Sequence, residues 1–152
     1  ALTALWQQLT VIREWRGDIH SAIQLADGLS STAAGLLDGA WRAYEDDWLP
    51  RSRGANDEMV TAAMLELEAR GLVAEGRFTD EAVRHRQALE DRLDAICVEP
   101  WRHVGAERTQ AFVDLIAPVS DRLLERVNQT AGPNWMPAAR LRRAEAARPV
   151  TL

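Results

Sequence analysis

The sequence contains no lysine, a single cysteine and no long run of apolar residues. Because Cys97 has no second cysteine to pair with, an internal disulfide is excluded, as is typical of proteins in the reducing cytosol. The absence of about 18 consecutive uncharged apolar residues excludes a membrane span. The start of the chain lacks a basic segment followed by an apolar run, so no secretory signal peptide is predicted. We therefore expect a cytoplasmic protein.

All 18 basic residues are arginine, against 23 acidic residues, for a net charge of −5. We attribute the lack of lysine to a GC-rich genome, since alanine and arginine are both abundant, rather than to phosphate recognition. The charge is unevenly distributed, because residues 17–80 hold 5 arginines and 12 acidic residues, a net of −7. A region this acidic repels polyanions unless its arginines are gathered on one face.

The chain is long enough for one domain of ordinary size with its own apolar core. Helical periodicity predicts a helix from Leu2 to Trp15, a break at Gly17, and a second helix beginning after Asp18 as its N-cap. Further helices are predicted at about residues 31–43, 57–70, 80–99 (ended by Pro100) and 106–128, with a loop at residues 45–56.

Two short apolar runs flank Glu75-Gly76, between the fourth and fifth predicted helices, and this pattern predicts a two-stranded hairpin. The order of helices followed by a hairpin and another helix is that of the winged helix, in which the hairpin forms the wing. The sequence therefore predicts a mainly α fold, a winged helix-turn-helix with a small two-stranded β wing and flanking long helices. We assign residues 1–131 to this domain and residues 132–152 to a weakly basic, flexible tail.

Apolar residues at helical spacing predict the buried face of each helix. Trp6, Trp41 and Trp101 fall on such faces. Trp15 and Trp48 have less helical reason to be buried, so they are candidates for a partner surface or ligand cavity, with the edge of an ordinary core as the alternative. The buried faces of the last two helices are predicted as Val83, Leu89, Leu93, Ile96 and Cys97, and as Phe112, Ile116, Val119, Leu123 and Val127.

Two segments resemble known regulators. The segment EARGLV, from Glu68 to Val73, followed by RFTDE, resembles the recognition-helix end, wing and next helix of MarR-like proteins, where LxxxGLL precedes an LT strand. The segment LTVIREWRGDIH, from Leu9 to His20, is similar to the opening motif LREHRGDxH of an actinobacterial helix-turn-helix family. Pro100-Trp101 matches a PW pair that follows the post-wing helix of that family.

This resemblance covers about residues 5–127 and implies a winged helix shaped like transcription regulators. Such regulators dimerise through terminal helices and respond to a small ligand. Family members carry a further helical half before the matched region, so the resemblance is to their C-terminal half only. Trp15 stands where the family usually has histidine.

Four charged or polar residues near the predicted junction of the first two helices form the sharpest candidate site. Arg13, Arg16, Asp18 and His20 combine two guanidiniums, a carboxylate and an imidazole, which suits an anionic ligand or acid–base chemistry. In the alternative interpretation, Asp18 caps a helix, the arginines pair with acidic residues and His20 faces solvent. Both interpretations remain open at the level of the sequence.

The predicted recognition helix, residues 57–70, offers acidic residues rather than side chains that read bases. Recognition helices usually present Arg, Lys, Asn, Gln or Ser to base edges. Carboxylates near phosphates lower the affinity for a duplex. DNA contacts would therefore fall to Arg51, Arg53 and Arg77, in the loop and the wing, with help from the tail between Arg140 and Arg148.

The remaining chemistry is sparse. The three histidines, His20, His85 and His103, share no metal-ligand spacing, and the sequence has no Gly-rich phosphate loop and no credible Ser–His–Asp set. We therefore predict no metal and no cofactor, and we rank an enzyme activity third, behind the two functions that follow. Two functions are retained. One is a transcription-regulator-like binder of duplex DNA. The other is a degenerate winged helix that binds no DNA and instead binds a small anionic or aromatic ligand or a protein. A homodimer is expected, and no membrane association.

Overall fold

The protein is described here by a computed structural model that covers residues 2–44 and 47–140. It forms two compact units, one ending at Cys97 and the other beginning at Val98. The first unit contains α1 (Leu2–Ala26), α2 (Ser31–Trp41), α3 (Trp48–Arg51), α4 (Asp57–Ala69), β1 (Val73–Ala74), β2 (Arg77–Phe78) and α5 (Asp80–Cys97). The second contains α6 (Glu99–Val104), α7 (Ala106–Thr130) and a short 3-10 helix (Pro137–Ala139). The mainly α fold with a small two-stranded hairpin is confirmed.

Within the described ranges, no helix is both long enough and apolar enough to cross a membrane. The assignment of residues 1–131 to one domain and 132–152 to a tail stays a prediction. Residues 141–152 of that tail lie outside the described part of the chain.

Three predicted helix starts are confirmed by side-chain caps. Ser30, Asn56 and Thr79 each accept a hydrogen bond from the backbone N–H three residues later, over 3.2, 2.9 and 3.3 Å. Each cap satisfies one of the N–H groups that have no partner inside the first turn of a helix. Local side-chain chemistry therefore sets where α2, α4 and α5 begin.

The predicted wing is the hairpin of β1 and β2, in which Val73 lies opposite Phe78 and Ala74 opposite Arg77. Its turn consists of Glu75 and Gly76, with φ angles of 51° and 73°. Positive φ at both positions is what a two-residue hairpin turn requires, and glycine adopts it without strain. The turn therefore forms where Glu75-Gly76 predicts it.

The core of the first unit is centred on α2, whose residues 32–39 are all buried. Gly35 lets α3 approach closely, because a Cβ at that position would lie 3.2 Å from the Cβ of Pro50. The largest fully buried side chains come from four different helices: Leu37, Leu49, Leu67 and Leu93. This packing holds α3 and α4, the two helices of the helix-turn-helix, against α2.

The predicted break at Gly17 is wrong, because α1 is one helix from Leu2 to Ala26. Asp18 is therefore an interior, exposed residue of α1 and not an N-cap. A single glycine lowers helix stability by only about 1 kcal/mol relative to alanine. Trp15 and Ile19, on either side of it, pack against the core and offset that cost.

Two other predicted boundaries also differ from the structure. The predicted loop at residues 45–56 includes α3, a helix of four residues. Pro100 does not end the long helix, since α5 already ends at Cys97 and Pro100 lies in the first turn of α6. Proline is tolerated there because the first-turn N–H groups have no helical acceptor.

Some apolar residues predicted to be buried are exposed, whereas Trp41, Leu89, Leu93 and Cys97 are buried as predicted. Periodicity identifies the apolar face of a helix but does not show what covers it. The exposed residues are Trp6, Ile96, Ile116, Val119 and Leu123, with exposed fractions from 41% to 72%.

Candidate functional site

A buried arginine lies where α1, α2 and α5 meet. Arg86 is only 2% exposed. One of its guanidinium nitrogens, Nη2, lies 3.0 Å from Asp38 Oδ1 on α2 and 2.7 Å from Glu90 Oε2 on α5. Its Cζ lies 4.6 Å from the centre of the Trp41 ring. Burying a charge is costly in free energy unless the charge is paired, so Arg86 can be buried here only because it makes these contacts.

Arg86 shares the buried face of α5 with Ala82, Leu89 and Leu93, at helical spacing. The sequence analysis missed this residue because an arginine at a core position reads as part of the surface. A signal was present nonetheless. Asp38 interrupts the apolar run of α2, and an acid and a base on two apolar helix faces are the pattern of a buried ion pair.

Each carboxylate next to Arg86 also has a second arginine. Arg42 Nε lies 2.9 Å from Asp38 Oδ2, and Arg16 Nη2 lies 2.6 Å from Glu90 Oε1. Burial raises the pKa of Glu90, but the hydrogen bonds and charges of Arg86 and Arg16 outweigh it and lower that pKa. We call these five residues, Arg16, Asp38, Arg42, Arg86 and Glu90, the arginine network.

The charged groups of the arginine network are largely engaged with one another. Both carboxylates already contact the guanidinium of Arg86. Its Nη1 is a buried atom without a hydrogen-bond partner in the described part of the chain. The Trp41 ring beside the guanidinium supplies a π face, a weaker acceptor than an oxygen. The network therefore holds three helices together.

Two of the four predicted ligand residues lie on the side of α1 that faces the arginine network. Arg16 belongs to it, and also lies 3.3 Å from Asp94 Oδ1. His20 is half-buried, with Nε2 2.9 Å from Gln24 Nε2. Burial, and then the charge of Arg86, lower the pKa of His20, so its neutral form is favoured.

The other two predicted ligand residues are exposed. Arg13 pairs with its neighbour Glu14, and Asp18 makes no ion pair with the residues that the structure describes. The structure thus separates Arg13 and Asp18 from Arg16 and His20, and a shared ligand site of all four stays a prediction.

The aromatic candidates have ordinary packing partners. Trp15 packs against the core, which fits the core-edge alternative. Trp48 is half-buried and meets the Tyr44 ring edge-on, with 6.1 Å between ring centres. Trp101 stacks on Phe112 at 6.3 Å within the second unit.

A second polar cluster ties the end of α4 to the end of α1. Asp27 Oδ2 lies 2.6 Å from Arg70 Nη2 and 2.9 Å from His85 Nε2. Burial raises the pKa of Asp27, but the hydrogen bonds from Arg70 and His85 outweigh it and lower that pKa. Arg70, the basic residue at the end of the predicted recognition helix, is therefore engaged inside the fold.

The second helix of the helix-turn-helix, α4, has four carboxylates and no basic residue. Asp57 and Glu58 lie in its first turn, where the helix dipole favours acidic side chains. Its other exposed residues are Met59, Thr61, Ala62, Leu65, Glu68 and Ala69. A surface of this composition has acceptors and apolar side chains where base readout needs donors.

The three arginines predicted to contact DNA differ in their surroundings. Arg51 lies 2.7 Å from both Asp47 Oδ2 and Asp57 Oδ1, and these hydrogen bonds raise its pKa. Arg53 and Arg77 are exposed and form no ion pair with the described residues. The predicted DNA contacts thus include one engaged arginine and two available ones.

From the basic tail, only Arg140 lies among the described residues. Its Nε donates to the backbone oxygen of Trp135 over 2.7 Å, and its Nη2 donates to Asn128 Oδ1 over 2.8 Å. Arg142, Arg143 and Arg148 lie outside the described residues.

The sequence model of a helix-turn-helix family matches residues 1–147 of this chain, which is almost its whole length. The match is to that family as a whole and carries nothing specific to MarR-like regulators. No curated protein and no solved structure matches the chain.

Proposed function

The chain belongs to this helix-turn-helix family, and from that premise we propose that its winged helix is an interaction module rather than a reader of duplex DNA. Its partner is a small ligand or a protein. The exposed face of α4 carries the proposal, because it presents Asp57, Glu58 and Glu68 where a recognition helix presents donors and cations. The likeness to MarR-like regulators then reflects a shared shape, and shape alone does not specify function.

Charge counting supports this proposal. Proteins that bind duplexes firmly neutralise about 6–10 phosphates, and each contact contributes to the salt dependence. In the described helix-turn-helix and wing, Arg53 and Arg77 are available, whereas Arg51 is engaged by Asp47 and Asp57. Residues 17–80 carry a net charge of −7 even with these two arginines counted, so the region repels a polyanion.

A transcription-regulator-like binder of duplex DNA is the second candidate. It is favoured by the positions of Arg53 and Arg77, in the turn after α3 and in the wing strand β2, from which winged helices contact the phosphate backbone. In this candidate function, Arg51 exchanges its carboxylate partners for phosphates, and the contacts position the protein without reading bases.

The deciding experiment is a titration of a labelled random duplex with the chain at about 50 mM and at about 200 mM salt. Binding is monitored by the fluorescence anisotropy of the label. We expect no saturable binding at either concentration. Saturable binding that falls steeply with salt, and whose salt slope decreases by about one unit in Arg77→Ala, would establish the regulator function instead.

A matched pair of variants tests the reason for the expected result. Glu68→Gln removes a negative charge from the exposed face of α4, and Glu99→Gln removes one from α6, where the side chain is 72% exposed. If α4 repels the duplex, Glu68→Gln increases weak low-salt binding more than Glu99→Gln does. Equal effects of the two variants would mean that net charge, and not the α4 surface, controls binding.

We also propose that a second copy of the chain covers the apolar face of α7. Phe112, Ile116, Val119 and Leu123 follow one another at spacings of four, three and four residues, as in a coiled-coil seam. Antiparallel pairing of two such helices places Ile116 against Val119 of the second copy and Phe112 against Leu123. This symmetry supports the predicted homodimer.

A further inference from the structure

Contacts on both sides of His20 show how α1 packs against α5. Before His20 in the chain, Arg16 Nη2 lies 2.6 Å from Glu90 Oε1. After it, and just past the end of α1, Asp27 Oδ2 lies 2.9 Å from His85 Nε2. The earlier contact on α1 therefore involves the later residue of α5, which means that the two helices run antiparallel.

This packing places His20 opposite Arg86. Arg16 and His20 are four residues apart and share a face of α1, as Arg86 and Glu90 share a face of α5. Because Arg16 meets Glu90, the next turn of α1 faces the preceding turn of α5. His20 is half-buried there, and its Nε2 lies 2.9 Å from Gln24 Nε2 on its own helix. The imidazole therefore lies beside the most deeply buried charge among the described residues.

Every carboxylate oxygen of the arginine network already has a partner. Asp38 Oδ1 accepts a hydrogen bond from Arg86, and Asp38 Oδ2 accepts one from Arg42. Glu90 Oε1 accepts a hydrogen bond from Arg16, and Glu90 Oε2 pairs with Arg86. Even so, Arg86 Nη1, a buried donor, has no acceptor among the described residues. The network is therefore short of acceptors before any further donor is added.

Protonation of His20 adds a donor and a positive charge at this place. A neutral imidazole has one nitrogen that donates and one that accepts, whereas both nitrogens of an imidazolium donate. The carboxamide nitrogen of Gln24 faces Nε2, which assigns Nε2 as the accepting nitrogen of His20. Protonation of Nε2 therefore sets two donors against each other and puts a second cation beside Arg86.

The charges that act on His20 come from three helices. Arg16 lies on α1, Asp38 on α2, and Arg86 and Glu90 on α5. The two carboxylates favour the imidazolium, but both are already held by arginines. Burial, and then the charge of Arg86, outweigh the carboxylates and lower the pKa of His20. The folded protein therefore favours the neutral ring.

We propose that the contact between α1 and α5 is pH-sensitive: neutral His20 opposite Arg86 keeps α1 docked, and protonated His20 releases it. The proposal stands on the position of His20 in the antiparallel packing and on the shortage of acceptors opposite it. It goes beyond the proposed function, because it holds whichever partner the winged helix binds.

The part of α1 that depends on this contact is residues 15–22. Trp15 and Ile19 are only partly buried against the core, and Arg16 forms ion pairs with α5. Ile23, by contrast, is 5% exposed and belongs to the core itself. Repulsion within residues 15–22 therefore acts on a stretch with partial apolar packing, while Ile23 keeps the end of the helix in place.

The direction of the pH effect follows from the pKa of His20, which is lowered from its ordinary value of 6.5. The unfolded chain therefore binds this proton at a higher pH than the folded protein does. The stabilisation by the neutral ring is complete above pH 6.5 and decreases as the pH falls toward the lowered pKa. Over this interval, the opening equilibrium constant rises by up to about tenfold per pH unit, relative to a variant without the imidazole.

The test compares amide hydrogen exchange of the wild type and of His20→Gln, which cannot be protonated and can still form a hydrogen bond with Gln24. Both proteins are measured at about pH 7.5 and at about pH 5.5, on either side of the ordinary histidine pKa. Comparison at the same pH removes the intrinsic effect of pH on exchange. At the lower pH, we expect residues 15–22 to exchange up to about tenfold faster in the wild type than in the variant. At the higher pH, the two proteins should exchange alike.

Two controls accompany this comparison. His103→Gln removes an exposed histidine of α6, in the second unit, and should exchange like the wild type at both pH values. The amides of α4 serve as an internal control, because they should exchange alike in the wild type and in His20→Gln. His20→Asn takes the place of His20→Gln if that variant does not fold.

Titration of the His20 ring protons in the wild type, followed by NMR, provides a second measurement, and its midpoint should lie below pH 6.5. A midpoint at or above that value would overturn the proposal. So would the same exchange of residues 15–22 in the wild type and in His20→Gln at the lower pH. Faster wild-type exchange throughout the first unit, α4 included, would also overturn it, because the whole fold and not the docking of α1 would then respond to the proton.

Discussion

Replacing Arg86 by methionine tests whether the arginine network holds the first unit together. The substitution removes a guanidinium that lies 3.0 Å from Asp38 and 2.7 Å from Glu90, and methionine keeps most of the side-chain volume. Removing one partner of a buried ion pair costs about 3–5 kcal/mol, because the remaining charge loses its compensation.

We expect a loss near the lower end of that range, about 3 kcal/mol, because each carboxylate keeps a second arginine. Arg42 remains 2.9 Å from Asp38, and Arg16 remains 2.6 Å from Glu90. Adding Glu90→Gln to Arg86→Met should recover part of the loss, since it removes one of the two carboxylates left short of positive charge.

The change in the free energy of unfolding is measured by unfolding the protein in guanidinium chloride and monitoring tryptophan fluorescence. Trp41 lies beside the substituted residue and serves as a reporter. Arg84→Met is the matched control on the same helix. Arg84 is 69% exposed and pairs with Glu81 at 2.7 Å, so its replacement should change stability by less than about 0.5 kcal/mol. A loss below about 1 kcal/mol for Arg86→Met would refute the stabilising role of the network.

Three further predictions concern other parts of the chain. The pKa of Asp27 is lowered from its ordinary value of 3.8, so the Asp27 carboxylate stabilises the fold fully above pH 3.8. This stabilisation is lost as the pH falls through the lowered pKa. The stability difference between wild type and Asp27→Asn in urea should therefore shrink from neutral pH to below 3.8, and a constant difference would contradict this origin. Asn56→Ala removes the cap of α4 and should cost about 1 kcal/mol in the same assay, whereas Asn56→Asp should cost little. Leu123→Glu should convert a dimer to a monomer in sedimentation equilibrium, while Glu125→Gln should not; a wild-type monomer would exclude the proposed dimer.

Much of the fold was predictable because its signals are local. Ser30, Asn56 and Thr79 form hydrogen bonds with N–H groups only three residues away, so their roles are readable from the chain itself. The Glu75-Gly76 turn likewise depends on two adjacent φ angles. Gly17 misled the prediction because its helical conformation depends on packing of α1 against α5, which lies more than sixty residues later in the sequence.

The candidate sites were less predictable because their groups come from distant segments. Arg16 and Glu90 meet over 2.6 Å although 74 positions separate them in the chain. The sequence analysis identified Arg16 and His20, but as members of a ligand site with Arg13 and Asp18. It identified Arg53 as a DNA contact, together with Arg51 and Arg77. The burial of Arg86 becomes visible only when the neighbouring helices are in place.

By itself, the sequence determined the mainly α composition, the hairpin wing, the three capped helix starts and the acidic character of α4. Each of these follows from propensity, periodicity or charge within one segment. Only the tertiary structure decided that α1 is continuous and that Arg86 is buried between two carboxylates. The physical reason is that burial and pairing are properties of two surfaces in contact, and a single segment contains only one of them.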